Sequence, residues 1–347
     1  MAGRGHPGNG NGDPKRGRPP SRASPSARQS MTTEPASVSV VTPLTPAIER
    51  VKILLFRPFD LGKWLIIGFC AWLACLGQSG GGGGGGGRFL VGRREGREIR
   101  SAFHEAKEYV LGNLEWIIPL AVAIVALILV VWLLITWLSS RGHFMFLHCV
   151  AGNKAEVRVP WARYARHSNS LFLFRIGLGL VQLLLILPLV VAGIGLLGFL
   201  VTGDTPGVGT IIGLVALVLG AIGFSILFAL IGKLMNDFVV PIMFLRTASA
   251  WRAWGQFLSL AGANMGRFLL YILFSLMLGL AIGILVFAVV ILTCCCAGCL
   301  LALPYLGTVL YLPVLTFSRS YSLSYLAQYG PDWDVFQPGA SPPNPGN

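Results

Sequence analysis

Six apolar stretches, separated by short polar or basic segments, set the rhythm of this chain. Trp116 to Leu138 runs 23 residues without a charge. At about 1.5 Å per residue such a helix is about 34 Å long, enough to cross roughly 30 Å of hydrocarbon. Ile176 to Val201 is longer and carries Pro188, an expected kink, inside it. Ile211 to Ile231 follows after a turn containing Gly203, Asp204, Pro206 and Gly207, so these two runs predict a hairpin. Phe268 to Leu292 and Leu300 to Phe317 predict another, joined across a cysteine cluster. Leu61 to Gln78 is the shortest run, with Lys63 near its start, where a long side chain can reach the headgroups. The expectation is an all-α polytopic membrane bundle of six transmembrane helices in three hairpins.

A short segment that mixes Trp, Phe, Tyr or Leu with Arg or Lys precedes each hairpin: Ala47 to Phe56, Trp161 to Arg166 and Ala250 to Leu260. Amphipathic segments of this kind favour the interface plane. Met145-Phe146-Leu147 and Met243-Phe244-Leu245 each close a hairpin before the next such segment, which suggests a degenerate threefold repeat. Residues 1–45 are mostly Gly, Pro, Ser, Arg and Asn, with almost no large apolar side chain before Val38. They cannot bury enough surface to offset chain entropy and are expected to be a disordered basic tail, with Met31 an alternative start. Residues 337–347, with four prolines, read the same way, leaving 46–336 as the transmembrane domain.

Composition narrows the class. Hydrophobic residues make up 54% of the chain and charged residues 12%, about half the density of a soluble domain. A water-facing globule is excluded. The net charge of +13 is spread over membrane-flanking loops and the tail, so anionic lipid headgroups are the expected partners and nucleic acid is not. Each basic residue near such a surface contributes about 1 kcal/mol.

Basic residues close to span ends also orient the chain. Arg141, Lys154, Arg158, Arg163 and Arg166 lie between the second and third spans, and Lys233, Arg246, Arg252 and Arg267 between the fourth and fifth. The linkers after the third and fifth spans hold no Lys or Arg. The linker after the first span dissents with Arg88, Arg93, Arg94, Arg97, Arg100 and Lys107, beside five glutamates that leave it at +1. Six spans with both termini inside place that linker outside by parity. The expected location is a bacterial cytoplasmic membrane with cytoplasmic termini. The charged, apolar, small-residue order of a cleavable signal peptide is not seen at the start, so the first span is expected to direct insertion.

Candidate chemistry is sparse. Gly80 to Gly87 is followed by Arg88-Phe89-Leu90 instead of the Lys and Ser or Thr of a phosphate-binding loop, and reads as a hinge. It lets Arg93 to Tyr109 fold as a surface helix with Ile99, Phe103, Ala106 and Val110 on one face. Cys294, Cys295, Cys296 and Cys299 contain a CxxC, which suits zinc or disulfide exchange, against the alternative of small hydrophobes in a tight turn. The other cysteines are Cys70, Cys75 and Cys149, with Cys149 expected on the opposite side of the membrane, and the oxidation state stays open.

His143 and His148 flank the end of the second span beside Arg141, as pH sensors or plain interfacial histidines. Asn236 and Asp237 stand just before Pro241, with Lys233 one turn from Asp237. They suit either a broken helix lining a cavity or, as the preferred reading, a solvated cytoplasmic extension. Between their ends the spans hold Gln182 and scattered Ser, Thr and Tyr but no Asp, Glu, Lys or His, which argues against an ion-coupled pump. No HExxH and no nucleophile with its base stands out, so no catalytic, cofactor or metal residue is assigned and no enzyme is expected. Ser275, Gly279 and Gly283, and Ala221, Ser225 and Ala229, recur at four-residue steps and suggest close helix contacts.

Several strings carry a resemblance: Phe56-Arg57-Pro58-Phe59-Asp60-Leu61-Gly62-Lys63-Trp64, the glycine run, Arg141 to Leu147, Asp237 to Met243, and the cysteine cluster through Leu303-Pro304-Tyr305 to Gln328-Tyr329-Gly330-Pro331. Over residues 47–336 the chain resembles a family of uncharacterised prokaryotic multi-spanning membrane proteins. That family is distantly similar to the membrane domain attached to some glycerophosphodiester phosphodiesterases. The resemblance implies six helices and a cytoplasmic membrane but no reaction; the soluble phosphodiesterase domain with its metal ligands has no counterpart here. The expected function is that of a membrane-organising or accessory protein, with other membrane proteins or further copies of itself as partners. The alternative is a facilitator or permease for a small or lipid-like solute, with a polar cavity reaching past Gln182 and Tyr305.

Overall fold

The computed structural model describes Gly3 and residues 38–76, 112–202, 207–293 and 296–336, and the unit considered below begins at Val38. The expected tails at 1–37 and 337–347, the hinge at Gly80 to Gly87, the surface helix at Arg93 to Tyr109, and Cys294 and Cys295 lie outside the described residues. Among the described residues every regular element is helical.

The first helix, α1, covers Leu44–Val51 and runs into a π-helical turn at Lys52–Phe56. Helix α2 is Leu61–Cys75, started by Asp60, whose side chain accepts from the Gly62 amide at 2.8 Å. Then come α3 (Leu114–Gly152), the short α4 (Arg158–Arg163) and α5 (Ala165–Thr202). Helix α6 (Val208–Leu234) passes through a π-helical turn, Met235–Val239, into α7 (Val240–Arg246). The chain ends with α8 (Ala250–Ala263), α9 (Met265–Leu292), α10 (Cys296–Ala302), α11 (Pro304–Leu310) and α12 (Leu312–Ala327).

Among the described residues four helices are long and apolar enough to cross a membrane: Glu115–Gly152, Ala165–Leu196, Val208–Arg246 and Met265–Leu292. The expected first and sixth spans are not among them. Helix α2 has 15 residues, about 22 Å at 1.5 Å per residue and short of the hydrocarbon thickness. The run Leu300 to Phe317 is cut into three helices, because Pro304 and Pro313 each supply no amide and restart the helix in its first turn. Pro119 and Pro188, in contrast, are carried inside continuous helices.

The core lies at one end of the long helices, in a hub of aromatic and aliphatic side chains. The buried segments are His143 to Val150 of α3, Phe238 to Phe244 at the junction of α6 and α7, and Arg319 to Leu323 with Tyr325 and Leu326 of α12. Both Met-Phe-Leu strings thus become structural equivalents, each the continuation of a long apolar helix into the hub. At its centre the Phe238 ring lies 4.9 Å from Tyr271, 5.2 Å from Phe268 and 5.4 Å from Phe257. Tyr164 stacks between Phe144 at 6.0 Å and Phe244 at 5.2 Å.

The amphipathic helices wrap this core with their apolar faces inward: Ala47 of α1, and Ala250, Ala253 and Phe257 of α8, are buried. Residues 38–45, grouped with the tail by composition, belong to the hub as well. Ser39 and Gln328 exchange two hydrogen bonds, of 2.8 and 2.9 Å, and Tyr321 donates to the Val40 carbonyl at 2.9 Å.

Outside the hub the long helices bury almost nothing. In each of the four, the most apolar 18-residue window has no buried residue. Helices α5 and α6 do form the expected hairpin: a methyl group on Gly193 would stand 3.3 Å from Leu217, and one on Gly213 would stand 3.5 Å from Leu196. The first hairpin is displaced. Helix α2 lies antiparallel to α3, but along Ser139 to Asn153 and not along Trp116 to Leu138. Ser139 donates to the Ala74 carbonyl at 2.9 Å, the Cys70 and Cys149 sulfurs are 4.0 Å apart, and Lys63 donates to Asn153 at 2.9 Å.

Gly142 permits this contact, since a Cβ there would lie under 3.0 Å from the backbone of Leu73 and Ala74. Gly142→Ala is therefore expected to push α2 off α3 and to cost about 1–3 kcal/mol. Gly255→Ala, exposed and with nothing within 4 Å, is expected to be neutral or to stabilise by up to about 1 kcal/mol. Thermal unfolding of the detergent-solubilised full chain, followed by tryptophan fluorescence, separates the two.

Candidate functional site

The most concentrated polar chemistry lies where the long helices enter the hub. Pro241 explains its local geometry. The π-helical turn shifts the backbone pairing by one residue, so that the Val240 amide bonds the Met235 carbonyl. The next donor in that register is residue 241, which is proline and has no N–H. The Asn236 carbonyl is thereby left without a helical partner, and Arg319 Nη1 of α12 donates to it. Inserted π turns of this sort recur at functional positions.

Arg175 of α5 approaches from the other side. Its Nη2 donates to Asn236 Oδ1 at 2.8 Å, and its Nη1 to the hydroxyls of Ser139 at 3.2 Å and Ser140 at 3.5 Å. One guanidinium therefore ties α3, α5 and α6 together. Asp237 accepts from Lys233 Nζ at 2.9 Å and from the Tyr271 hydroxyl at 3.1 Å, so its charge is balanced by Lys233. The helical pairing of Lys233 with Asp237 expected from their spacing is present. The preferred reading of Asn236 and Asp237 as solvated is not: both are half-buried and line a cavity.

That cavity is about 110 Å³ and is bounded by α2, α3, the π turn and α12, through Ala71, Ala74, His143, Asn236, Asp237 and Arg319 among others. Arg319 is 7% exposed, and its Nε and Nη2 are buried with no hydrogen-bond partner. Burial lowers its guanidinium to about 10, with the Asp237 charge opposing the shift, so it stays protonated at neutral pH. Neither Arg175 nor Arg319 forms an ion pair with a carboxylate among the described residues.

The other candidates are dispersed. His143 is buried at the cavity wall; His148, also buried, stands 5.8 Å from the Tyr164 ring and 3.9 Å from Glu156. Cys296 starts α10 and Cys299 is exposed. The buried Cys149 sulfur makes a contact that was not foreseen, with Cys70. Gln182 is exposed on α5, and the Tyr305 hydroxyl donates to the Leu65 carbonyl at 2.9 Å. Among the described residues, the stripe expected to hold helices close makes no such contact at Gly279 and Gly283, where an added Cβ would meet nothing within 4 Å. A second cavity of about 530 Å³ lies between Arg166, His167, Ser170 and the start of α8, with Arg252 on its rim.

Sequence reasoning missed Arg175 and Arg319. The signal was present: each is a lone charge at the edge of an apolar run, directly before Ile176 and two residues after Phe317. A charge so placed either snorkels to the headgroups or finds buried partners.

Among known proteins, the model of a family described as a family of unknown function (DUF7544) matches residues 38–310. No curated protein and no solved structure matches.

Arg175→Gln is expected to destabilise the fold by on the order of 1–3 kcal/mol, since it removes a half-buried charge-assisted fork and takes the donor from Asn236 Oδ1, while Ser139 and Ser140 keep their bonds to the Ala74 and Thr136 carbonyls. Lys233→Gln, at an exposed pair, is expected to cost under about 1 kcal/mol. Melting curves of the two purified variants in one detergent give the comparison.

Proposed function

The chain belongs to that family of unknown function, and from this premise and the geometry above we propose that it is a non-enzymatic membrane-organising protein. Its hub holds the helices at the membrane surface while their apolar faces associate laterally with other membrane proteins or with further copies of the chain. The observation that carries the reading is the contrast in packing. The hub residues are buried, whereas most large apolar side chains of the four long helices are exposed, and among the described residues an added Cβ at Gly279 or Gly283 of α9 would meet nothing within 4 Å. Helix faces with small residues at four-residue steps associate by close backbone approach. A permease would enclose a polar path between its spans; Gln182 is exposed on α5 and the Tyr305 hydroxyl is taken up by the Leu65 carbonyl, which favours the first reading.

Orientation belongs to the same proposal. Arg141, Arg163, Lys233, Arg246 and Arg267 all lie at the hub end, and the far ends at Thr202, Val208 and Leu292 carry no Lys or Arg among the described residues. The positive-inside rule favours a cytoplasmic hub in a bacterial cytoplasmic membrane. The chain enters the hub at Val38 and returns to it in α12 after α9 has led to Leu292, which supports six crossings, two of them by short or broken helices. The resemblance to phosphodiesterase membrane domains fits this layout and adds no activity.

Photo-crosslinking from Leu276 and Leu280, both exposed on α9, tests the lateral role in native membranes. Adducts with protein, either a second copy or another membrane protein, are expected at these positions. Lipid adducts alone at both positions would overturn the proposal.

A further inference from the structure

The cavity of about 530 Å³ between the starts of α5 and α8 is lined by side chains that carry positive charge or donate hydrogen bonds. Arg166 and His167 belong to the first turn of α5, Thr247 and Ser249 to the loop before α8, and Arg252 to the first turn of α8. Ser170 joins the two sides: its hydroxyl oxygen accepts from the Ala250 amide at 3.0 Å, which leaves its own proton to donate. Ser249 stands at the cap position of α8 without a side-chain bond to that helix. Apart from Ala248, every residue of the lining has a side chain able to donate, and no carboxylate is among them.

The charge there is not neutralised by the chain. Arg166 and Arg252 are exposed, and neither forms an ion pair or a side-chain hydrogen bond among the described residues. Neither α5 nor α8 has an acidic residue in its first turn. A concave site of one sign of charge focuses its field and gathers counter-ions. Guanidinium forks match the oxygens of a phosphate, and the hydroxyls of Ser170, Thr247 and Ser249 are placed to add further bonds. Pockets that hold small organic ligands run about 300–1,000 Å³, so 530 Å³ admits a phosphorylated headgroup and not only a simple ion.

The surroundings point to a lipid as the carrier. On α5, Leu173 lies three residues beyond Ser170 and is 67% exposed, so an apolar outward surface begins directly beside the cavity. On α8, Trp251 is 72% exposed next to Arg252, with its ring edge-on to Phe174 of α5 at 5.1 Å. Tryptophan favours the headgroup level, and basic pockets between spanning helices on the cytoplasmic side bind phosphorylated headgroups.

We propose that this cavity binds the phosphate groups of an anionic lipid headgroup, gripped by Arg166 from α5 and Arg252 from α8. Two phosphates on one lipid are held better than one, because the guanidiniums come from separate helices. Free phosphate presents the same oxygens. The lipid source rests on the hub lying at the membrane surface, as proposed above; recognition of phosphate does not.

The test is native mass spectrometry of the full-length chain in detergent, titrated separately with cardiolipin, which carries two phosphates, with phosphatidylglycerol, which carries one, with diacylglycerol, which carries none, and with inorganic phosphate. Cardiolipin is expected to bind tightest and diacylglycerol at least about tenfold more weakly, the scale of a charge-assisted hydrogen bond. Arg166→Gln combined with Arg252→Gln is expected to erase the difference. Lys52→Gln combined with Arg57→Gln removes the same charge from exposed residues outside the cavity, and is expected to leave the difference in place. Ala248→Trp keeps every charge and fills the cavity, and is expected to weaken cardiolipin as the arginine pair does. Unchanged melting temperatures show that each variant is folded. Inorganic phosphate that displaces the lipid identifies a free oxyanion as a second source, and binding without displacement identifies the headgroup alone. Equal retention of cardiolipin and diacylglycerol, an equal loss in the K52Q/R57Q control, or full retention in A248W would overturn the site. None of these results bears on the crosslinking from α9, so the two proposals fail separately.

Discussion

A methylene taken out of water gains about 0.8 kcal/mol, whereas one moved from a lipid tail to a protein interior gains almost nothing. That difference decides where this chain packs. Its most apolar segments, such as Trp116 to Leu138, leave their side chains outward, and its buried core is built from less apolar segments beyond them, rich in Phe, Tyr, Met, His and Cys. Burial is concentrated where a water-facing alternative exists. The amphipathic helices α1 and α8 contribute to the same end, each laying one apolar face on the hub.

The cost of that division falls at the boundary, where backbone and charges must be satisfied without bulk water. Pro241 withholds one amide, and Arg319 answers the stranded carbonyl; Arg175 answers the side chain of the same residue. Asn236 thereby links two arginines from helices more than 140 residues apart in sequence, and the polar junction becomes a fixed point between helices that touch little elsewhere.

Much of this was legible in the residues. Long charge-free runs announced the four long helices, and alternation of basic and apolar positions announced the segments that became α1, α4 and α8. Lys233 and Asp237 could be paired from their spacing because a helix makes neighbours of residues four apart. What was not legible is long-range. Leu61 to Gln78 is apolar enough to suggest a span, but the run itself does not tell that the helix ends at Cys75 or that its partner is the segment around Gly142. Residues 38–45 look like the end of a polar tail until Tyr321 and Gln328, nearly at the other end of the chain, claim their backbone. The junction arginines carry no local pattern at all: a single charge beside an apolar run fits both a solvated flank and a buried anchor.

The pairing of Val40 with Tyr321 also sets an order of events during synthesis. These partners are 281 positions apart, so at about 5–20 residues per second the first hub segment waits roughly 15 to 55 seconds for its mate to leave the ribosome. Every long apolar helix has emerged by then, and each can insert without help from the hub. The hub is therefore the last part to close, after every long apolar helix has already left the ribosome.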